Sequence, residues 1–289
     1  FYTLSDHLDK RYSKFFSGII SLMMAVGTLA LFSGQLLGIA WILEVVAGVP
    51  KIYGVITGAI VTTLYFAAGG LLSGAFVNII EVAVILAGFV VALPFVWNFS
   101  GGIEGIKANV TSASYFDFYG MGSTAIIGYI VMLVPSFFIS PGLIGKVFAA
   151  KNERAIKTGT ALNGLVQLVF AVIPVIIGMA ARSCYPDLTR ADLALPTAMK
   201  NMMPFFAASL ALAAIFAAEV STADTVLYML AGSLTNDIYK RFFNPEISDK
   251  NLLTLSRFVT IICGLLGVVL ALRLESIISA LTIFYSLMS

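Results

Sequence analysis

Residues 205–234 read FFAASLALAAIFAAEVSTADTVLYMLAGSL. The run contains two acids, Glu219 and Asp224, and neither Lys nor Arg. A helix crossing the hydrocarbon core of a bilayer needs about 20 mostly apolar residues. This stretch exceeds that length, so a spanning helix here is expected to tilt. Ionisable groups inside a membrane segment are costly and mark functional positions by default. At 100° per residue, Ala218, Ser221, Thr222 and Thr225 fall on one face. That face offers hydroxyl oxygens and, if the helix is distorted, the Ala218 carbonyl. Oxygen ligands suit a hard cation such as sodium. The same small and hydroxyl residues equally suit close packing of helices. Glu219 and Asp224 flank the face on opposite sides, placed to balance an ion's charge or to bond to neighbouring helices.

Similar apolar runs fill the rest of the chain. They lie at about 17–49, 52–68, 75–97, 123–147, 158–181, 253–272 and 277–289, the last cut short. The composition agrees: 60% of the 289 residues are hydrophobic and 11% charged, with a mean hydropathy of +0.99. A soluble domain carries about 25% charged residues, so a soluble enzyme, a disordered chain and a nucleic-acid binder are excluded. The runs are continuous rather than alternating, which argues against a β-barrel. Helices satisfy their own backbone in lipid. The expected fold class is therefore all-α, a polytopic membrane protein whose first partner is the lipid bilayer. Opening at Phe1 and closing at Ser289 inside an apolar run, the chain reads as an internal piece of a longer transporter.

Loop charges orient the bundle. Lys10, Arg11 and Lys14, then Lys146, Lys151, Arg154 and Lys157, then Lys240, Arg241, Lys250 and Arg257 share one side if every segment crosses once. Lys51, Lys107, Arg182, Arg190, Lys200 and Arg273 share the other. The excess places the first set in the cytoplasm. The outer loops 98–122 and 182–203 read as solvated connectors or as gates over a vestibule. The first of them holds two glycosylation sequons, at Asn98 and Asn109.

Other polar positions lie within or beside the spans. Gln35 is midway along the first, where a buried amide needs a partner in a substrate or another helix. Glu44 is near the outer end of that span, and Glu81 is about two turns into the third. In the fourth, Pro135 and Pro141 interrupt the segment, and proline removes a backbone bond. A discontinuous helix exposes backbone groups that bind solute or ions in transporters; a plain kink is the other reading. Phe137 and Phe138 beside the break suit a hydrophobic gate, with Ser140 as a polar neighbour. Cys184 and Cys263 are far apart, and His7 is the single histidine. No nucleophile–base pair or His-based metal centre follows, so the chain is not read as an enzyme.

Four stretches resemble the sodium:solute symporter family. Thr3–Tyr12 is similar to the cytoplasmic segment before the family's fourth helix. Ala68-Gly69-Gly70-Leu71 followed by Phe76–Glu81 stands at a Gly-Gly…Trp-Thr-Asp-x-x-Gln signature. Lys146–Lys151 resembles an Arg-x-x-Ala-Ala-Lys turn. Ala218–Asp224, followed by Asp237-Ile238-Tyr239-Lys240-Arg241, is the most specific match. The resemblance implies a LeuT-type inverted-repeat fold, present in part as about core helices three to ten, with 123–147 as core helix six and 205–234 as core helix eight. It implies Ala218, Ser221 and Thr222 as sodium ligands, with the remaining ligands on core helix one, ahead of Phe1. The signature's acid is Asn78 here and its glutamine is Glu81, so the carboxylate stands one turn along or the coupling differs. Glu81, Glu219 and Asp224 are candidate coupling carboxylates. Gln35, Phe137, Phe138 and Ser140 are candidates for the solute pathway.

The expected function is sodium-coupled symport of a small organic solute by alternating access, in a cell membrane and most simply a bacterial inner membrane. Sodium would be the co-transported ion. Two alternatives stand beside it: a proton-coupled carrier on the same fold, motivated by the three carboxylates, and a transporter-like sensor module of a signalling protein.

Overall fold

The computed structural model describes residues 12–110, 115–140, 143, 147 and 150–288, with the side chains of 65–76 and 139 outside that description. His7, Lys10, Arg11, Pro141, Gly142 and Lys146 therefore lie outside the described residues. Within them the secondary structure is helical throughout, with no strand.

Helix α1, Lys14–Ala47, starts where the Ser13 hydroxyl accepts the Phe16 amide at 3.3 Å. It stops at Gly48, whose φ of 67° is left-handed and cheap only for glycine. A helix that is apolar all round belongs inside a bundle. Phe32, Leu36, Leu37, Ile39 and Trp41 are accordingly almost fully enclosed.

The next two expected spans, 52–68 and 75–97, fall on a single helical element, α2, Lys51–Phe99. The Gly69–Gly74 stretch, expected as a loop, is thus carried in helix. A straight rod of this length would measure about 74 Å, more than twice a bilayer core of about 30 Å. Yet both ends of α2 lie at the same end of the bundle. The Lys51 ammonium donates to the Leu274 carbonyl at 2.9 Å. Val96, near the other end, packs with Ala198 and Met199, and Lys200 of that segment donates to the Val45 carbonyl beside Lys51. The chain must reverse between the two halves, 51–64 and 77–99.

Helices α3, Gly102–Asn109, and α4, Ser123–Ile139, follow. Ser140 caps α4 with φ −54° and ψ 123°, the extended backbone that a following proline imposes. The expected interruption of 123–147 therefore takes the form of an end at Ile139, whereas Pro135 is absorbed within the helix.

The segment expected at 158–181 is two collinear pieces, α5, Glu153–Phe170, and α6, Val172–Cys184. Pro174 has no N–H to offer the Phe170 carbonyl, which places the joint at Ala171. A short turn, Ala191–Leu193, leads into α7, Ala194–Asn201. Helix α8, Phe205–Gly232, continues as a π-helical segment, Ser233–Lys240. Helices α9, Asp249–Arg273, and α10, Ile277–Met288, complete the bundle.

Among the described residues, five stretches are long and apolar enough to cross a membrane: Lys14–Ala47, Val77–Phe99, Glu153–Cys184, Phe205–Lys240 and Asp249–Arg273. Shorter apolar helices occupy Lys51–Leu64, Ser123–Phe138 and Ile277–Met288. One core joins α1, α8, α9, α10 and the first half of α2 around Phe32, Leu36, Val55, Leu227 and Phe284. A second joins the other half of α2 to α3, α6, α7 and α8 around Phe89, Val96, Ile177 and Met199. Helix α8 belongs to both, so its two faces are read by different neighbours.

Candidate functional site

The middle of α8 is where those neighbours meet. The Thr222 hydroxyl donates to the Ala218 carbonyl at 2.8 Å, and Thr225 donates to the Ser221 carbonyl at 3.1 Å. Each hydroxyl that donates this way keeps lone pairs for a further partner. The helix is regular here, and its distortion comes later, in the π segment from Ser233. So the Ala218 carbonyl is held by Thr222 rather than freed by a break.

Ser221 points at α2. Its hydroxyl donates to the Asn78 side-chain oxygen. Glu81, one turn beyond Asn78, also reaches the Ser221 hydroxyl and feels the charge of Asp224. Asn78, Glu81, Ser221 and Asp224 therefore form one polar cluster between α2 and α8, with Asp224 buried. Asn78 was legible only as a departure from a signature. Its partner could not be read from sequence, because the two residues are 143 positions apart.

Glu219 goes the other way, to α1. Its carboxylate lies flat on Gly38: a methyl built there would sit 2.5 Å from the carboxyl carbon and 2.6 Å from each oxygen. Oε2 is enclosed and, among the described residues, accepts no hydrogen bond. The charge nearest in influence is another acid, Asp192. An enclosed carboxylate without a donor or a cation is expensive, so this position calls for a proton or a bound cation. Gln35, one turn before Gly38, is 8% exposed and lies on the same buried helix. Glu219 and Asp224 thus do face opposite neighbours, α1 and the α2 cluster.

The end of the bundle that holds Lys51 is closed by the segment 190–200. Arg190 lies over the Trp41 ring at 4.5 Å and Lys51 at 5.5 Å. Asp192 accepts the Ile277 amide at the start of α10, at 3.2 Å. Leu193 packs on Leu37, Trp41, Leu274 and Ala280. This strap ties the neighbouring ends of α1, α2 and α10 together, and none of its residues carried a local motif.

The remaining candidates are more dispersed. Phe137 and Phe138 are 47% and 69% exposed on α4, away from the Ser221 cluster. Ser140 is half-buried at the helix end. Ser136, unremarked in the sequence, is fully buried and donates to the Tyr285 carbonyl of α10 at 3.0 Å. Among the described residues no group of three His, Cys, Asp or Glu side chains could hold a metal.

The family model for the sodium:solute symporter family matches residues 1–286. The chain belongs to that family. Curated relatives are similar along almost all of it. The sodium/pantothenate symporter of Escherichia coli is 27% identical over 91% of this chain, which covers 56% of that protein. The high-affinity choline transporter 1 of Drosophila melanogaster is 22% identical over 95% of the chain and 46% of the transporter. The chain therefore spans about half the length of these relatives. A Na+-coupled sialic acid symporter, solved substrate-bound and outward-open, superposes with a TM-score of 0.78 at 19% identity. The match covers 94% of this chain and 61% of that one. The fold is LeuT-type, present in part. In this sodium:solute symporter family member, the two substituted signature positions, Asn78 and Glu81, are the ones that meet Ser221.

Proposed function

We propose that this chain is the core of a sodium-coupled symporter that carries a small organic solute across the cell membrane by alternating access. Family membership over 1–286 carries the reading. The geometry around α8 supports it. Sodium would take the Ser221 and Thr222 hydroxyls as part of its shell, and the Ala218 carbonyl once the Thr222 hydroxyl turns from it to the ion. Hydroxyl and carbonyl oxygens supply the hard, weakly charged ligands such an ion prefers. Glu81 and Asp224 lie beside that shell and offset the charge. Sodium bound there stabilises one of the two access states, and the solute adds its own differential affinity. Gln35 on α1 and Phe137, Phe138 and Ser140 on α4 would border the solute path. A bacterial inner membrane is the setting that fits the bacterial relatives.

A second reading is favoured by one observation, the enclosed carboxylate oxygen of Glu219 without a donor. On that reading Glu219 takes up and releases a proton during the cycle, and proton coupling replaces sodium coupling or accompanies it.

One experiment separates the two. The intact carrier is purified and its thermal stability followed while sodium is titrated against potassium. A ligand that binds only the folded state raises stability by mass action. A saturable, sodium-specific rise is expected, and it disappears in Ser221→Ala/Thr222→Ala. A rise that survives the double substitution would remove those hydroxyls from the ion's shell. Indifference to sodium, with a pH response lost in Glu219→Gln, would replace the first reading with the second.

A further inference from the structure

Glu219 and Gln35 share a property that the sodium shell does not use. The Glu219 carboxylate lies on Gly38 of α1, its carbon 2.5 Å from the place of a methyl there. Its Oε2 is enclosed and accepts no hydrogen bond among the described residues. Gln35 stands one turn before Gly38, about 60° round the helix, on the flank of the same contact. It is 8% exposed, and no described residue bonds to its amide. A shielded polar group without a partner is costly. Here two of them, on α8 and α1, converge on one spot.

The charge at that spot is of one sign. The charge nearest in influence on Glu219 is Asp192, half-buried in the strap. Its carboxylate accepts the Ile277 amide at 3.2 Å. Arg190 and Lys51 lie instead over the Trp41 ring, at 4.5 and 5.5 Å, one turn farther along α1. Among the described residues neither acid is ion-paired.

A cation is what these acids lack, and the geometry selects its kind. A hard metal ion gathers several oxygens at once. Among the described residues no three His, Cys, Asp or Glu side chains meet, and the Ser221 hydroxyl is turned to Asn78 on α2, away from Gly38. An ammonium group needs only single, directional N–H···O bonds, up to three of them. Bonds of that kind to a carboxylate are the strong ones. Glu219 supplies one acceptor and the Gln35 amide oxygen a second. We propose that Glu219 and Gln35 bind the ammonium group of the solute, so that the carrier selects organic amines. The inference rests on the symport reading and adds the class of solute to it. Gly38 leaves the space that the carboxylate occupies, and Asp192 draws the amine toward it. A neutral or acidic solute leaves Glu219 unpaired beside a second acid.

The test uses the intact carrier, purified, with its thermal stability followed at saturating sodium. The probes are methylammonium, ethylammonium and piperidinium, with ethanol and acetate as their neutral and anionic counterparts. The amines are expected to raise the stability of the wild type saturably, and ethanol and acetate to leave it unchanged. Glu219→Gln loses the amine response and keeps the sodium response. Gln35→Ala, which leaves the carboxylate in place, weakens apparent amine affinity about fivefold, the value of one hydrogen bond. That variant gives the same reading should Glu219→Gln not fold. Indifference of the wild type to all three amines, with its sodium response intact, overturns the inference and leaves the symport reading standing. An amine response that survives Glu219→Gln overturns it too. So does loss of the sodium response in Glu219→Gln, which would give the carboxylate to the ion. A wild type that answers to amines and ignores sodium keeps the amine site and removes sodium coupling.

Discussion

Gly38 and Glu219 are ordinary residues that become exceptional together. A glycine inside a helix costs about 0.5–1 kcal/mol relative to alanine, so it needs a reason, and here the reason is the carboxylate lying on it. Neither sequence neighbourhood contains that information. Gly38 sits in an apolar run, and Glu219 reads only as an acid in a membrane helix. Gly38→Ala is expected to lower stability by about 1–3 kcal/mol, the range for forcing a methyl into a filled space. Adding Glu219→Ala removes the obstacle, so the double variant regains stability relative to Gly38→Ala. Thermal denaturation of the four members of that cycle checks the coupling; additive effects would show that the two side chains do not meet. The Ser221–Asn78 contact has the same character. The hydroxyl face of α8 was legible by period alone, but what it faces was not.

At the scale of the element, glycine spacing decides how closely α2 and α8 approach. A methyl on Gly88 would lie 2.3 Å from the Ala214 Cβ and 2.9 Å from the Leu210 carbonyl oxygen. The second of these is backbone and cannot rotate aside. Interfaces between membrane helices rely on such small residues. Gly88→Ala is therefore expected to push the two helices apart at a cost of about 1–3 kcal/mol and to weaken the sodium response through Asn78 and Ser221. Gly128 in α4 has nothing within 4 Å. Gly128→Ala is expected to leave folding unchanged or to raise stability by about 0.5–1 kcal/mol. Comparing the two variants in one unfolding assay separates packing from helix propensity. The ends of elements follow local rules, although the expected spans began at 17 and 253 rather than at these caps. Ser13 and Ser248 cap their helices through side-chain bonds to Phe16 and Asn251, and Ser140 stops α4 ahead of Pro141. These are local rules acting within a few residues. The two halves of α2 were also legible as two apolar runs. The helical bridge between them was not, because Gly69–Gly74 carries the composition of a turn.

In the whole molecule, the segment 190–200 fastens the ends of three helices, α1, α2 and α10. Asp192→Ala removes the acceptor from the Ile277 amide at the start of α10. Loss of a helix-terminal acceptor costs about 0.5–2 kcal/mol. The expected outcome is faster hydrogen exchange over the first turn of α10, with the opposite half of the bundle unaffected. Uniform protection across both would show that the strap does not hold α10.

Composition and apolar run length alone determined that the chain lives in a bilayer and that it is helical. These follow from free energies that sum over a segment, the cost of hydrating apolar surface and of leaving backbone groups unpaired in lipid. The carboxylate of Glu219 on Gly38, the meeting of Asn78 and Glu81 with Ser221, and the clasp of Asp192 on α10 were decided only by tertiary structure. Each depends on contact between side chains far apart in the chain, over distances of a few ångströms. A shift of one residue in either helix turns the contact by 100° and removes it.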